Sequence, residues 1–73
     1  MKLDEIEGIG LKHGEPITVY SGEHECSGTF YDIYFEEDEP DEWCINIEAI
    51  KPYFGKVIIQ IPVPEVDRIE RGA

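Results

Sequence analysis

Apolar and polar residues alternate with a period of two along most of this chain, and the places where the alternation breaks divide it into segments. The opening stretch departs from that period. Leu3, Ile6 and Ile9 recur every third residue, the spacing of one or two helical turns, with Asp4 and Glu5 near the positive end of the helix dipole. Gly8 and Gly10 are expected to cut this helix short, leaving a lid over an open end of β-structure. From Pro16 to Tyr20, Ile17 and Val19 fall on one face and Thr18 and Tyr20 on the other, as in a half-buried strand. Ser21, Gly22 and Glu23 then predict a tight turn.

The stretch from Cys26 to Ile50 reads CSGTFYDIYFEEDEPDEWCINIEAI, two apolar runs around an acidic turn that carries a proline, which predicts a long β-hairpin. Its first strand runs roughly from His24 to Phe35. Gly28 inside it predicts a bend or bulge that lets one strand serve two sheets. Thr29, Tyr31, Ile33 and Phe35 alternate with Phe30, Asp32 and Tyr34, so both faces carry large aromatics. One set is core, and the other leaves Phe30 and Tyr34 under the N-terminal segment or on a contact surface. The second strand, Glu42 to Ala49, turns Trp43, Ile45 and Ile47 inward and Cys44, Asn46 and Glu48 outward. A turn centred near Glu39 sets Cys44 opposite Tyr34 and leaves Cys26 far along the strand. At about 3.3 Å per residue the two cysteines are then beyond disulfide reach, and two free thiols are expected.

Lys51 to Gly55 form a connection holding Tyr53 and Phe54, after which Val57, Ile58, Ile59 and Ile61 make a run that is apolar on both faces. Such a strand is buried on both sides or covered by another subunit, which points to self-association. Pro62, Val63 and Pro64 interrupt the sheet, since proline lacks a ladder donor, and Val66 to Glu70 closes the chain as a short last strand. The expectation is one all-β domain over residues 1–73, with five short strands.

At 73 residues the chain has room for one domain, and a domain of this size buries only about 60% of the surface its unfolded chain exposes. The formal charge of −11 is unevenly spread. Residues 1–35 carry seven acids against Lys2 and Lys12, and residues 36–42 carry six acids and no base. Residues 43–73 balance four acids against Lys51, Lys56, Arg68 and Arg71. Phosphate backbones are held by clustered Lys and Arg, so this distribution excludes direct nucleic-acid binding. No apolar run approaches the roughly 20 residues of a membrane span, and MKLDEIEG has no apolar signal core, so a soluble cytoplasmic protein without membrane contact is expected.

Taken in order, a short helical start, GE-P-ITVYSG, SGTFYDI, WCINI, VIIQI and IPVPEVDRIE, the chain resembles the SH3-like small barrels, and among them the Sm-like proteins. Gly28, Thr29 and Phe30 match the glycine, small residue and large apolar residue that open the bent strand in that family, and Pro62 to Glu70 looks like its closing segment. The resemblance implies a five-stranded SH3-like (Sm-like) barrel with a short N-terminal helical segment, and ring or dimer formation through exposed strand edges. It does not extend to RNA binding. The loop at Glu36 to Glu42 lacks the family's asparagine, and Ile61 to Glu65 lacks its arginine and glycine.

The acidic tip, Glu36, Glu37, Asp38, Glu39, Asp41 and Glu42, is the densest local feature. It has carboxylates for a divalent cation but not the Asp-x-Asp-x-Asp-Gly spacing of a calcium loop, and a row of carboxylates can also imitate phosphates. His24 and Cys26 stand one residue closer than a zinc-binding pair, and the hairpin holds Cys44 away from them. No nucleophile elbow, phosphate loop or His beside Cys or Ser is present, so neither catalysis nor a cofactor or metal is expected. The expected function is a non-enzymatic protein-interaction module that self-associates. Phe30, Tyr34, Tyr53 and Phe54 would make the contact while the acidic tip steers a basic protein partner. The alternatives are an acidic nucleic-acid mimic and a divalent-metal-binding module.

Overall fold

The elements follow the order α1 (Leu3–Ile9), β1 (Pro16–Ser21), β2 (His24–Glu36), β3 (Glu39–Lys51), β4 (Gly55–Pro62) and β5 (Arg68–Arg71), with a 3-10 turn at Val63–Glu65 before the last strand. The computed structural model describes residues 1–36, 39–51 and 53–72, and of 35, 36 and 39–42 the backbone alone. The fold is all-β: one antiparallel sheet in the order β4-β3-β2-β1-β5, with one short N-terminal helix.

β2 is shared between two ladders. Its first half pairs with β1, from Ser21 opposite His24 to Pro16 opposite Thr29, and its second half pairs with β3 from Thr29 opposite Glu48 onwards. The handover falls beside Gly28, which is expected from the sequence to be a bend or bulge. Its register with Ile17 is unbroken, so it is no bulge. Its function is steric. A methyl group on Gly28 would stand 2.5 Å from the Glu48 carbonyl oxygen and 2.7 Å from Ile47 Cγ2, so β3 crosses β2 at a distance only glycine permits.

The register slip lies three residues further on. Phe30 faces Ile47 and Asp32 faces Asn46, so β2 spends one residue more than β3 and Tyr31 is the extra one. The slip reverses the alternation. Phe30 and Ile33 now turn to the same side as Ile45 and Ile47, and Phe30 is only 8% exposed. The sequence places Phe30 on a contact surface because an unbroken period of two groups it with Tyr34; the bulge puts it in the core instead. Beyond the slip, Tyr34 faces Cys44, as the predicted hairpin register requires. A second register shift then intervenes before Glu36 pairs with Glu39, so β3 starts at Glu39 rather than Glu42, and the hairpin turns between Glu36 and Glu39 rather than about Glu39.

The core joins Ile17 and Val19 of β1, Phe30 of β2, Ile45 and Ile47 of β3 and Ile61 of β4 with Val63 and Val66 from the closing segment. β1 and β3 are not neighbours in the sheet, so the sheet must curl to bring their side chains together. The closing segment requires the same. From Pro62 to Arg68 the chain takes six steps. With three of them in a 3-10 turn it reaches roughly 16 Å, whereas the outer strands of a flat five-stranded sheet lie about 19 Å apart. No ladder joins β4 to β5 among the described residues, so both remain sheet edges.

α1 closes one end of this curl with Ile6, which is buried in the core. Gly8 stays within the helix, and Gly10 ends it in the left-handed region at φ 74°. The lid is tied down from the far end of the chain. Arg71 donates from Nη1 to the Ile9 carbonyl at 2.9 Å and grips the Glu15 carboxylate through Nε and Nη2.

Gly28→Ala tests the close crossing. Alanine would gain about 0.4–1 kcal/mol from the unfolded chain, but pressing a methyl onto a backbone carbonyl costs about 1–3 kcal/mol, so a net loss is expected. Urea unfolding of the two proteins measures it, and equal midpoints would show that β3 can retreat.

Candidate interaction surface

The β3 and β4 ladder runs without a slip from Cys44 opposite Pro62 to Lys51 opposite Gly55. Its inner face is odd-numbered in β3, where Ile45, Ile47 and Ala49 are buried, so strict alternation sends Ile50 outward. Ile50 is 79% exposed, and on β4 the outward Ile58 is 47% exposed. The turn beyond them adds Phe54 at 80% and a fully exposed Tyr53. The Phe54 amide donates to the Lys51 carbonyl at 3.3 Å, and Tyr53 holds φ at 74°. For a bulky side chain that left-handed conformation costs on the order of 1–3 kcal/mol, which glycine would not incur. The turn therefore displays its aromatic rings at an energetic cost.

Of the four contact residues expected from the sequence, only Tyr53 and Phe54 come together. Phe30 is core. Tyr34 is 46% exposed but faces Cys44, seven residues along β3 from Lys51, which is about 24 Å of strand. Ile50 and Ile58 take their places. Their outward setting follows from the parity of Ile45 and Ile47, a signal already present in the sequence. A groove of about 440 Å³ flanks the patch, lined by Gly28, Glu48, Ile50, Lys51 and Lys56 among others. Lys56 lies 3.5 Å from the Glu48 carboxylate across its rim, an exposed pair of little energetic weight. A second, more apolar groove of about 360 Å³ lies between the start of α1 and Trp43, Val63 and Pro64.

The acidic residues lie at the opposite end of the same hairpin. β4 pairs with β3 only as far as Cys44, so Glu39 to Trp43 extend past the end of that ladder, with Trp43 packed against the core beside Val63 and Pro64. Pro40 is tolerated there because that stretch has a side with no ladder to break. Glu36 and Glu39 face each other across the ladder, Asp41 and Glu42 follow in β3 within the second register shift, and Glu37 and Asp38 lie outside the described residues.

On the outer face between the two ends, Asn46 is 5% exposed and donates from Nδ2 to Asp32 Oδ1 at 2.6 Å. Its own Oδ1 is buried with no partner among the described residues. The metal-capable side chains are dispersed. Cys26 faces Val19, Cys44 faces Tyr34, and neither is in a disulfide, while His13 holds the Tyr31 carbonyl through Nδ1 at 2.9 Å. Among the described residues no three His, Cys, Asp or Glu side chains are grouped to hold a metal ion. Among them, too, no helix is long and apolar enough to cross a membrane.

Among the described residues Glu15 and Tyr20 are displaced from their ordinary values, and each has a side-chain partner in β5. The Lys12 amide, donating to the Glu15 carboxylate at 2.9 Å, is the main force holding that carboxyl below the usual 4.5; desolvation opposes it and Arg71 reinforces it. The Tyr20 hydroxyl donates to Glu70 at 3.1 Å, which raises its pKa above the ordinary tyrosine value. Neither group lies at the exposed patch. No protein-family model, no curated protein and no solved structure matches this chain.

Two predictions follow from these polar contacts. Asp32→Ala removes the acceptor of a buried amide, and the stranded donor should cost about 1–3 kcal/mol in urea unfolding; a loss near zero would mean that Asn46 finds another partner. Because the folded-state pKa of Glu15 is depressed, its contribution to stability is complete above the ordinary value and disappears as pH falls through the lower folded one. As pH falls through and below the ordinary carboxylate value the wild type should therefore lose more stability than Glu15→Gln, and parallel curves would remove this role.

Proposed function

We propose that this chain is a cytoplasmic, non-catalytic protein-interaction module that self-associates and takes a basic protein partner. The observation that carries the reading is the apolar patch at the β3–β4 turn. Ile50, Tyr53 and Phe54 stand exposed side by side there, and Tyr53 does so in a conformation that a bulky residue adopts at a cost. Aromatic side chains anchored in a partner's pockets supply much of the energy of protein interfaces, whereas a solvated turn gains nothing from them. The net charge of −11 supports the choice of a basic partner, because it steers encounter without fixing the contact. A second strand shared by two ladders and a 3-10 turn before a short last strand support an SH3-like architecture for the module.

The charge also favours one competitor, an acidic nucleic-acid mimic, and salt separates the two. The wild type, Tyr53→Ser/Phe54→Ser and Glu37→Lys/Asp38→Lys would each be immobilised and used to capture proteins from a lysate for mass spectrometry. The capture is run at low salt and at about 1 M, where the Debye length is about 3 Å. A basic protein that survives high salt and disappears with the aromatic substitutions supports the module. Capture that ignores those substitutions but collapses with salt and with charge reversal at the tip would replace it with the mimic.

A further inference from the structure

We propose that the free edge of β4 pairs antiparallel with β4 of a second copy of this chain, about a two-fold axis at Ile58. The proposal rests on the self-association in the function above and gives it a surface. The two sheet edges differ. β5 has four residues, of which Arg68, Glu70 and Arg71 are charged, and short charged strands are how proteins keep an edge from pairing. β4 has eight residues in an uninterrupted ladder with β3, with no bulge to twist its outer side away. Lys56 is its only charge and Pro62 its last residue, so Val57 to Ile61 offer a run of unpaired backbone groups with neither charge nor proline.

Electrostatics selects a second copy as the occupant. A chain at −11 repels itself, which disfavours contacts that bring its acidic stretches together. Residues 43–73 are the exception, with four acids against four bases, and β4 lies within them. Two copies can meet here without opposing their acidic parts.

The strand is also complementary to itself. With Ile58 on the axis, facing residues have numbers summing to 116. Ile58 then meets Ile58, Val57 meets Ile59, and Lys56 meets Gln60 rather than another lysine. Shifting the register to centre on Ile59 would set Lys56 against Pro62 and draw a residue without an N–H into the ladder. Facing side chains share a face, so the half-buried Val57 and Ile59, of which Ile59 packs against the core, would cover each other on the inner side. On the outer side the pairing covers Ile58.

Light scattering and sedimentation of the full chain across a concentration series test this. The expected mass is twice the 8.4 kDa of the chain, and Ile58→Lys, which sets two cations on the axis, should return it to one chain with an unchanged circular dichroism spectrum. Should that variant fail to fold, Ile58→Cys in a Cys26→Ser/Cys44→Ser background keeps the test open. It should cross-link into a covalent dimer on oxidation, whereas Tyr20→Cys in the same background should not. A monomer at every concentration would overturn self-association itself. A dimer that neither forms the Ile58→Cys cross-link nor responds to Ile58→Lys, or a closed ring of more than two chains, would overturn the β4 pairing and leave self-association standing.

Discussion

The Glu48 carbonyl passes so close to Gly28 that no side chain fits between them, and this crossing sets the course of both ladders. β2 gives up β1 and takes β3 at Thr29, the one residue paired to both. Because the handover is a bend, Ile17 and Val19 from the first ladder and Ile45 and Ile47 from the second face one another across a common interior. The same curl lets the short segment after Pro62 bridge to β5 and leaves one end open for Ile6 of the helix. A bulkier residue at position 28 would push β3 away at Ile47 and Glu48 and open that interior there.

Much of this architecture was legible because side-chain period reports exposure directly. Ile17 and Val19 against Thr18 and Tyr20, and Ile45 and Ile47 against Glu48, are faithful records of which face is covered; the pairing of Tyr34 with Cys44 agrees with a turn centred on Glu39, but the chain turns between Glu36 and Glu39 and reaches that pairing through a second register shift. Phe30 was misplaced because a β-bulge leaves no mark on composition. One extra residue at Tyr31 changes which aromatic is inside, and both alternations look equally regular on paper. Gly28 announced a special backbone position without saying which kind, since a bulge and a close approach both call for glycine.

The exposed surface was harder to read than the core. Aromatic content drew attention to Phe30, Tyr34, Tyr53 and Phe54 alike, yet only the last two share a location. Ile50 is not marked out by its type, because an isoleucine in a strand reads as core until the parity of its neighbours is applied to it, whereas Ile58 belongs to the run apolar on both faces that points to self-association. The acidic stretch behaved in the opposite way. Its charge was evident, but its placement on strand backbone was masked by Pro40 and by residues of low β-propensity, which the end of a hairpin tolerates better than a sheet interior does.

Charge and apolar exposure sit at opposite ends of the β3 strand, and this separation gives the two proposed contacts different physics. A basic partner drawn by the acidic residues gains from long-range attraction, which added salt screens beyond a Debye length. Two copies meeting along β4 gain backbone hydrogen bonds and buried isoleucine, while the like charge each copy carries elsewhere opposes their approach. Salt weakens that repulsion and leaves the apolar and hydrogen-bond terms largely intact. The two contacts therefore respond to ionic strength in opposite senses: the heterologous one forms more slowly as salt rises, and the homologous one tightens.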